Sequence, residues 1–123
     1  MTLPLFLLAV IACGVGSTLR YAISRLDRRK VFPWTTMAAN VTGSAIMGVV
    51  AAAVLVGGAS LGWLVVVGGG LASGLSTFST FAVDAVILWR EERPRATLAY
   101  LGGTLATGLS AAGIGWWCGA ALF

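Results

Sequence analysis

Apolar residues run in four long stretches, about Leu3 to Ile23, Pro33 to Val56, Leu61 to Trp89 and Thr97 to Leu122, with short polar connections between them. Each stretch reaches the roughly 20 residues that a helix needs to cross a hydrocarbon core. The connections, D-R-R-K-V-F, G-G-A-S and E-E-R-P-R, are short enough that successive spans must be antiparallel. The pattern predicts an all-α integral membrane protein, a single four-span domain over residues 1–123. One stretch is irregular. From Gly74 to Phe81 the third reads G-L-S-T-F-S-T-F, a hydroxyl-rich run in an apolar setting, and the stretch is about 29 residues long against the roughly 20 required. Gly68, Gly69, Gly70 and Gly74 weaken it further. The third helix is therefore expected to break mid-membrane, near Ser73 to Thr77.

Composition agrees with a lipid solvent. Hydrophobic residues make up 59% of the chain and charged residues 10%, and the mean hydropathy is +0.95. A chain of 123 residues with these values is not a soluble domain. The first stretch lacks the basic start of a signal peptide, because Met1 to Leu8 carries no Lys or Arg, and reads as a retained span. Cys13 and Cys118 lie at different depths, the chain has no His and no Cys-x-x-Cys, and both read as small packing residues.

Charge placement says more than net charge. All eight cations fall on one side of a four-span chain: Arg20, Arg25, Arg28, Arg29 and Lys30 at the first connection, and Arg90, Arg93 and Arg95 at the third. The positive-inside rule puts both basic connections in the cytoplasm and both termini outside. These clusters are short and abut spans, so orientation, not nucleic-acid binding, is their use.

Polar residues inside the spans are the candidate chemistry. Ser76, Thr77, Ser79 and Thr80 supply hydroxyls at the expected break, and Phe78 and Phe81 are three apart, on one face if helical. Asn40, Ser44 and Gly48 make a small-polar stripe on the second span, and Ala12, Gly16 and Arg20 share that spacing on the first. Stripes of this kind let membrane helices approach closely. Asn40 is either interhelical glue or part of a polar path. Arg20 either snorkels to the cytoplasmic interface or serves that path. Asp84 requires a cavity or a partner. Tyr100, Thr104 and Thr107 place hydroxyls on one face of the last span.

The chain resembles the Fluc (CrcB) fluoride channel family along its whole length. The matching pieces are G-V-G-S-T-L-R-Y in the first span, P-W-T-T-M-A-A-N-V-T-G-S at the second, G-L-S-T-F-S-T-F with Asp84 in the third, and the Tyr100 stripe in the last. The resemblance implies a non-enzymatic cell-membrane channel that lowers cytoplasmic fluoride by passive export, built as an antiparallel dimer with two pores. It implies a structural sodium ion at the dimer interface, held by backbone carbonyls that align with Ser73 and Ser76. The family usually has Gly and Thr at those two positions, so this chain departs at both. The fluoride path it implies runs past Asn40, Phe78, Phe81, Thr77, Ser79, Thr80, Tyr100, Thr104 and Arg20. Hydroxyl and amide donors replace the anion's water there, and Phe ring edges are positively polarised. The lopsided Lys and Arg count implies one fixed orientation, so the second subunit is either a paralogue of opposite topology or a copy of this chain inverted late. Two readings compete. A small four-span multidrug/proton antiporter shares the size, but its first span needs a carboxylate and this one has none. A purely structural membrane subunit leaves the hydroxyl run without purpose.

Overall fold

The computed structural model describes residues 2–27 and 31–123 and, within them, is helical with no strand. Arg28, Arg29 and Lys30, three of the cations assigned to the first connection, lie outside the described residues. Four helical runs are long and apolar enough to cross a membrane: Leu3–Ser24, Trp34–Leu55, Leu61–Arg90 and Pro94–Leu122. The first two are α1 and α2. In the third run, α3 (61–75) is followed by α4 (Ser79–Arg90), and the fourth run is α5 (Pro94–Leu122).

Helix starts follow proline placement. Pro33 lies just outside α2, at its N-cap, rather than within the span. α5 begins at Pro94, three residues before the expected Thr97, because proline's missing N–H is harmless in a first helical turn. The last turn of α4 closes with the Arg93 amide on the Leu88 carbonyl and the Glu92 amide on that of Trp89, with Glu92 left-handed at φ 55°. The Arg93 guanidinium also donates to the Val31 carbonyl, so the first and third connections meet at one end of the bundle.

Inside α3 the chain is wound loosely. Leu64–Ala72 is a π-helix, flanked by single α-turns at Leu61–Trp63 and Ser73–Leu75. The hydroxyl of Ser73 donates to the Gly68 carbonyl at 3.1 Å, reinforcing the wide turn beneath it. At Ser76 the backbone becomes extended (φ −76°, ψ 155°), and helix resumes only at Ser79. The interruption thus falls at 76–78, and Ser73, at the near edge of the expected interval, is still helical.

Packing rests on backbone contact. A methyl built on Gly16 of α1 would sit 2.8 Å from the Leu75 amide nitrogen, and one on Gly70 would lie 2.7 Å from the Ala9 carbonyl oxygen. The α2–α5 crossing is made the same way: a methyl on Gly48 would be 2.8 Å from the Trp116 nitrogen, and one on Gly119 the same distance from the Val49 oxygen. Without water between helices there is no hydrophobic drive to hold them, so dispersion at close range does the work. The outer face of α1 carries exposed Phe6, Leu7, Val10 and Ile11, and its one buried residue is Gly16. Gly74→Ala tests this packing. The added methyl would lie 3.0 Å from Cys13 Cα, and forcing α1 and α3 apart costs about 1–3 kcal/mol. A lowered thermal midpoint in detergent is expected; an unchanged midpoint would show that the crossing tolerates separation.

Candidate functional site

A helix that stops within a long apolar run strands its backbone groups, and each that is buried must be met by another group. At this interruption the meeting is done by α1 and α2. The Ser76 amide still reaches back to the Ala72 carbonyl at 3.0 Å. The Thr77 amide, which in a continuous helix would bond the Ser73 carbonyl, instead donates to Asn40 Oδ1 at 2.6 Å. Asn40 Nδ2 returns a bond to the Thr77 carbonyl at 3.1 Å, and the Ser76 hydroxyl donates to Asn40 Oδ1 at 3.0 Å. One side-chain amide therefore imitates a neighbouring strand. Arg20 Nη1 donates to the Ser76 carbonyl at 2.9 Å, and Ser17 Oγ to that of Gly74 at 3.4 Å.

Beyond the interruption the hydroxyl run starts the next helix. Thr77 Oγ1 accepts the Thr80 amide at 3.2 Å, the bond a capping residue makes, and donates to Thr80 Oγ1 at 3.2 Å. Ser79 Oγ lies 3.4 Å from the same Thr77 oxygen. Thr77 is buried, whereas Ser79 and Thr80 are exposed. Phe78 and Phe81 come together with ring centroids 6.1 Å apart, in unequal settings. Phe78 is 80% exposed, while Phe81 is half-buried and packs on Tyr100 at 5.2 Å. Tyr100, fully buried, also meets the edge of Phe32 at 5.7 Å.

Two open hollows lead to this point. A groove of about 980 Å³ is bounded by Arg25, Asp27, Thr36, Thr80, Asp84 and Glu91 among others. A recess of about 190 Å³, sharing Thr36 and Thr80 with it, adds Arg20 and Thr77. The groove's lining carries both signs of charge, and Arg20 lines the recess.

The structure thus gathers Arg20, Asn40, Ser76, Thr77 and Thr80 at one point, with Phe78, Phe81 and Tyr100 beside it. Thr104 is one turn along α5 from Tyr100; its Oγ1 is buried and has no partner among the described residues. Ser73 is separate, its hydroxyl spent on the π-turn. Thr107, from the same stripe as Tyr100, is exposed and bonds its own helix at Gly103. Residues the sequence reading did not single out are Ser17, which bonds the Gly74 carbonyl, and Thr36, which donates to Asp84 Oδ2 at 2.7 Å. Both were findable by spacing: Ser17 precedes Arg20 by one turn, and Thr36 extends the Asn40, Ser44 and Gly48 stripe backward by four residues.

Residues 7–116 match the family described as CrcB-like protein, Camphor Resistance (CrcB), and the chain belongs to that family. It is 39% identical over 120 residues to the "Fluoride-specific ion channel FluC 1" of Leifsonia xyli subsp. xyli, covering 94% of this chain and 88% of that one. It is 35% identical over 121 residues to a protein of the same name from Streptomyces avermitilis, covering 96% and 98%. A second S. avermitilis protein, "Fluoride-specific ion channel FluC 2", is 38% identical over 105 residues, covering 83% and 66%. With four spanning helices and these relatives, the chain is a multi-pass membrane protein.

Asn40→Ala removes three hydrogen bonds at once and leaves the Thr77 amide and carbonyl unpaired, at about 1–3 kcal/mol for each buried group. Faster hydrogen exchange at the Thr77 amide, with the α2–α5 crossing still protected, is the expected result. Unchanged exchange at Thr77 would show that the interruption holds itself without Asn40.

Proposed function

We propose that this chain is one subunit of a passive, fluoride-selective channel of the cell membrane. The observation that carries the reading is the interruption at 76–78, stapled by Asn40 and Arg20, with a Phe pair and free hydroxyls on its open side. Fluoride is small and tightly hydrated, so a path must offer donors in place of water. The second Asn40 N–H and the hydroxyls of Ser79, Thr80 and Thr104 are available as donors, Thr77 spends its own on orienting Thr80, and Phe78 and Phe81 present polarised ring edges. Arg20 contributes a positive field in the recess beside the groove. Fluoride enters cells as neutral HF, dissociates, and leaves down its own gradient, so the reading requires no energy source. The named relatives support the substrate.

In this reading the interruption lies mid-membrane and two subunits pair antiparallel. The donor set at the interruption fits a sodium ion. Diverting the Thr77 amide to Asn40 frees the Ser73 carbonyl, and the Ser76 carbonyl keeps one lone pair beyond its bond to Arg20. Such neutral, hard oxygens suit an alkali cation, which when bound supplies positive charge between the subunits. The termini lie outside, from the Lys and Arg bias, and the Arg93 bond to Val31 supports a shared side for both basic connections. The second subunit is either a copy of this chain or a paralogue of opposite topology. S. avermitilis carries both a channel 1 and a channel 2 related to this chain, so two such genes do occur in one organism.

Fluoride efflux from liposomes holding the purified protein tests the function, and its absence from every assembly with or without a paralogue would overturn it. Phe81→Ile is expected to lower efflux about tenfold or more, the equivalent of about 1.4 kcal/mol in the barrier. Efflux near the parent's in the assembled variant would reduce Phe81 to packing. Orientation is read by labelling Ala59→Cys in cells that express this subunit alone. Reaction only from outside is expected; reaction from both sides, with efflux from the lone protein, would exclude the need for a paralogue.

A further inference from the structure

Asp84 has no part in the path described so far, and its charge opposes an anion. Of the four acidic residues it alone lies within a helix. Its placement ties three helices together. From α2, Thr36 Oγ1 donates to Asp84 Oδ2 at 2.7 Å, and from α5 the Tyr100 hydroxyl donates to the same oxygen at 3.3 Å. Tyr100 is completely buried, and its ring lies against Phe81 at 5.2 Å. Phe81 in turn precedes Asp84 by one turn of α4. The constraints close a circuit: carboxylate to phenol, phenol ring to phenyl ring, and phenyl back through a single helical turn to the carboxylate. A ring held by such a circuit has one resting place. What the circuit requires of Asp84 is an acceptor oxygen, because both contacts are donations from neutral hydroxyls.

We propose that Asp84 is a positioning residue that fixes the Phe81 ring through Tyr100 and Thr36 by accepting their hydroxyl hydrogens. The same bonds keep both hydroxyls from donating to the anion, so the donors left to the path are those nearer the interruption. The Asp84 oxygen thus limits how tightly the path grips its ion. Losing it frees two hydroxyls to hold the anion and frees the ring to move. The proposal rests on the fluoride-channel reading.

The test compares variants by two independent readouts. Asp84→Asn keeps an acceptor oxygen without the charge, Asp84→Ala removes it, and Thr36→Val and Tyr100→Phe each remove one donor. The readouts are fluoride efflux with fluoride-over-chloride selectivity in liposomes, and fluorine NMR of para-fluorophenylalanine at position 81 in detergent. Asp84→Asn should keep efflux within about threefold and retain the parent resonance. Asp84→Ala should lower efflux about tenfold, admit more chloride, and broaden or split the resonance, since each of the two lost bonds is worth about threefold. In the Asp84→Ala background Thr36→Val should cost nothing more, the mark of a shared interaction. Asn behaving like Ala in both readouts would assign the role to charge and overturn the proposal. A parent resonance in the Ala variant would overturn it as well. Should Asp84→Ala fail to assemble, Thr36→Val and Tyr100→Phe decide: a parent resonance in both overturns the proposal, and a disturbed one in either supports it. Absence of efflux from the parent would sink the channel reading alone, because the NMR comparison decides the positioning role without it.

Discussion

A buried backbone amide has no water to turn to, and the rest of this structure depends on how that constraint is met at Thr77. Leaving the helix there strands an N–H and a C=O, and each would cost about 1–3 kcal/mol if buried unpaired. Asn40 takes both, and Arg20 takes the carbonyl just before. The interruption is therefore specified by two other helices. That is why the polar residues of α1 and α2 sit where they do: Arg20 follows Gly16 by one turn, and Asn40 precedes Gly43 by less than one. Close approach and polar rescue are supplied by the same helix faces. A methyl on Gly43 would lie 2.9 Å from the Ala72 oxygen, so Asn40 reaches the interruption because Gly43 lets α2 come near.

Much of the fold was legible because hydropathy and proline act locally. Stretches of about 20 apolar residues imply spans whatever their neighbours do, but hydropathy alone put the start of the last helix at Thr97, three residues past the Pro94 that opens it. The site was legible in its members more than in their duties. Arg20, Asn40, Thr77 and Thr80 meet, but a single sequence left Asn40 open between glue and path, and the structure shows it bonding the backbone on both sides of the Thr77 residue. Arg20, left open between snorkelling and serving the path, makes a direct bond to the Ser76 carbonyl. Roles like these depend on which side chain meets which carbonyl across helices, and spacing along one helix carries no such information. The π-helix at Leu64–Ala72 had only an indirect sign in its three consecutive glycines. Its wide turn depends on the Ser73 hydroxyl reaching five residues back, a contact that α-helical periodicity does not suggest.

Ser73 also explains how a departure from a family pattern can be accommodated. A glycine at that point offers backbone freedom, which matters only where the conformation requires it. Here Ser73 is helical, with φ −68° and ψ −37°, a conformation open to any residue. The added hydroxyl is not idle either, since it anchors the turn below. A backbone carbonyl can keep its direction through such a change, because direction is set by the helix and by the withdrawal of the Thr77 amide.

The open side of the site bears on the proposed pairing of two subunits. Ser79 and Thr80 are exposed beside Phe78, which is 80% exposed, on a helix otherwise suited to lipid. Hydroxyls facing acyl chains gain nothing, and polar groups in spans face a cavity or a protein partner. Asn40 and Arg20 have already satisfied the backbone from the closed side, so these hydroxyls are surplus to the fold. A membrane protein that kept them for packing alone would turn them inward, as it does Thr77. Donors on an exposed face, next to an aromatic ring that is 80% exposed, are what the proposed reading needs, in which a second subunit supplies the other wall of the passage.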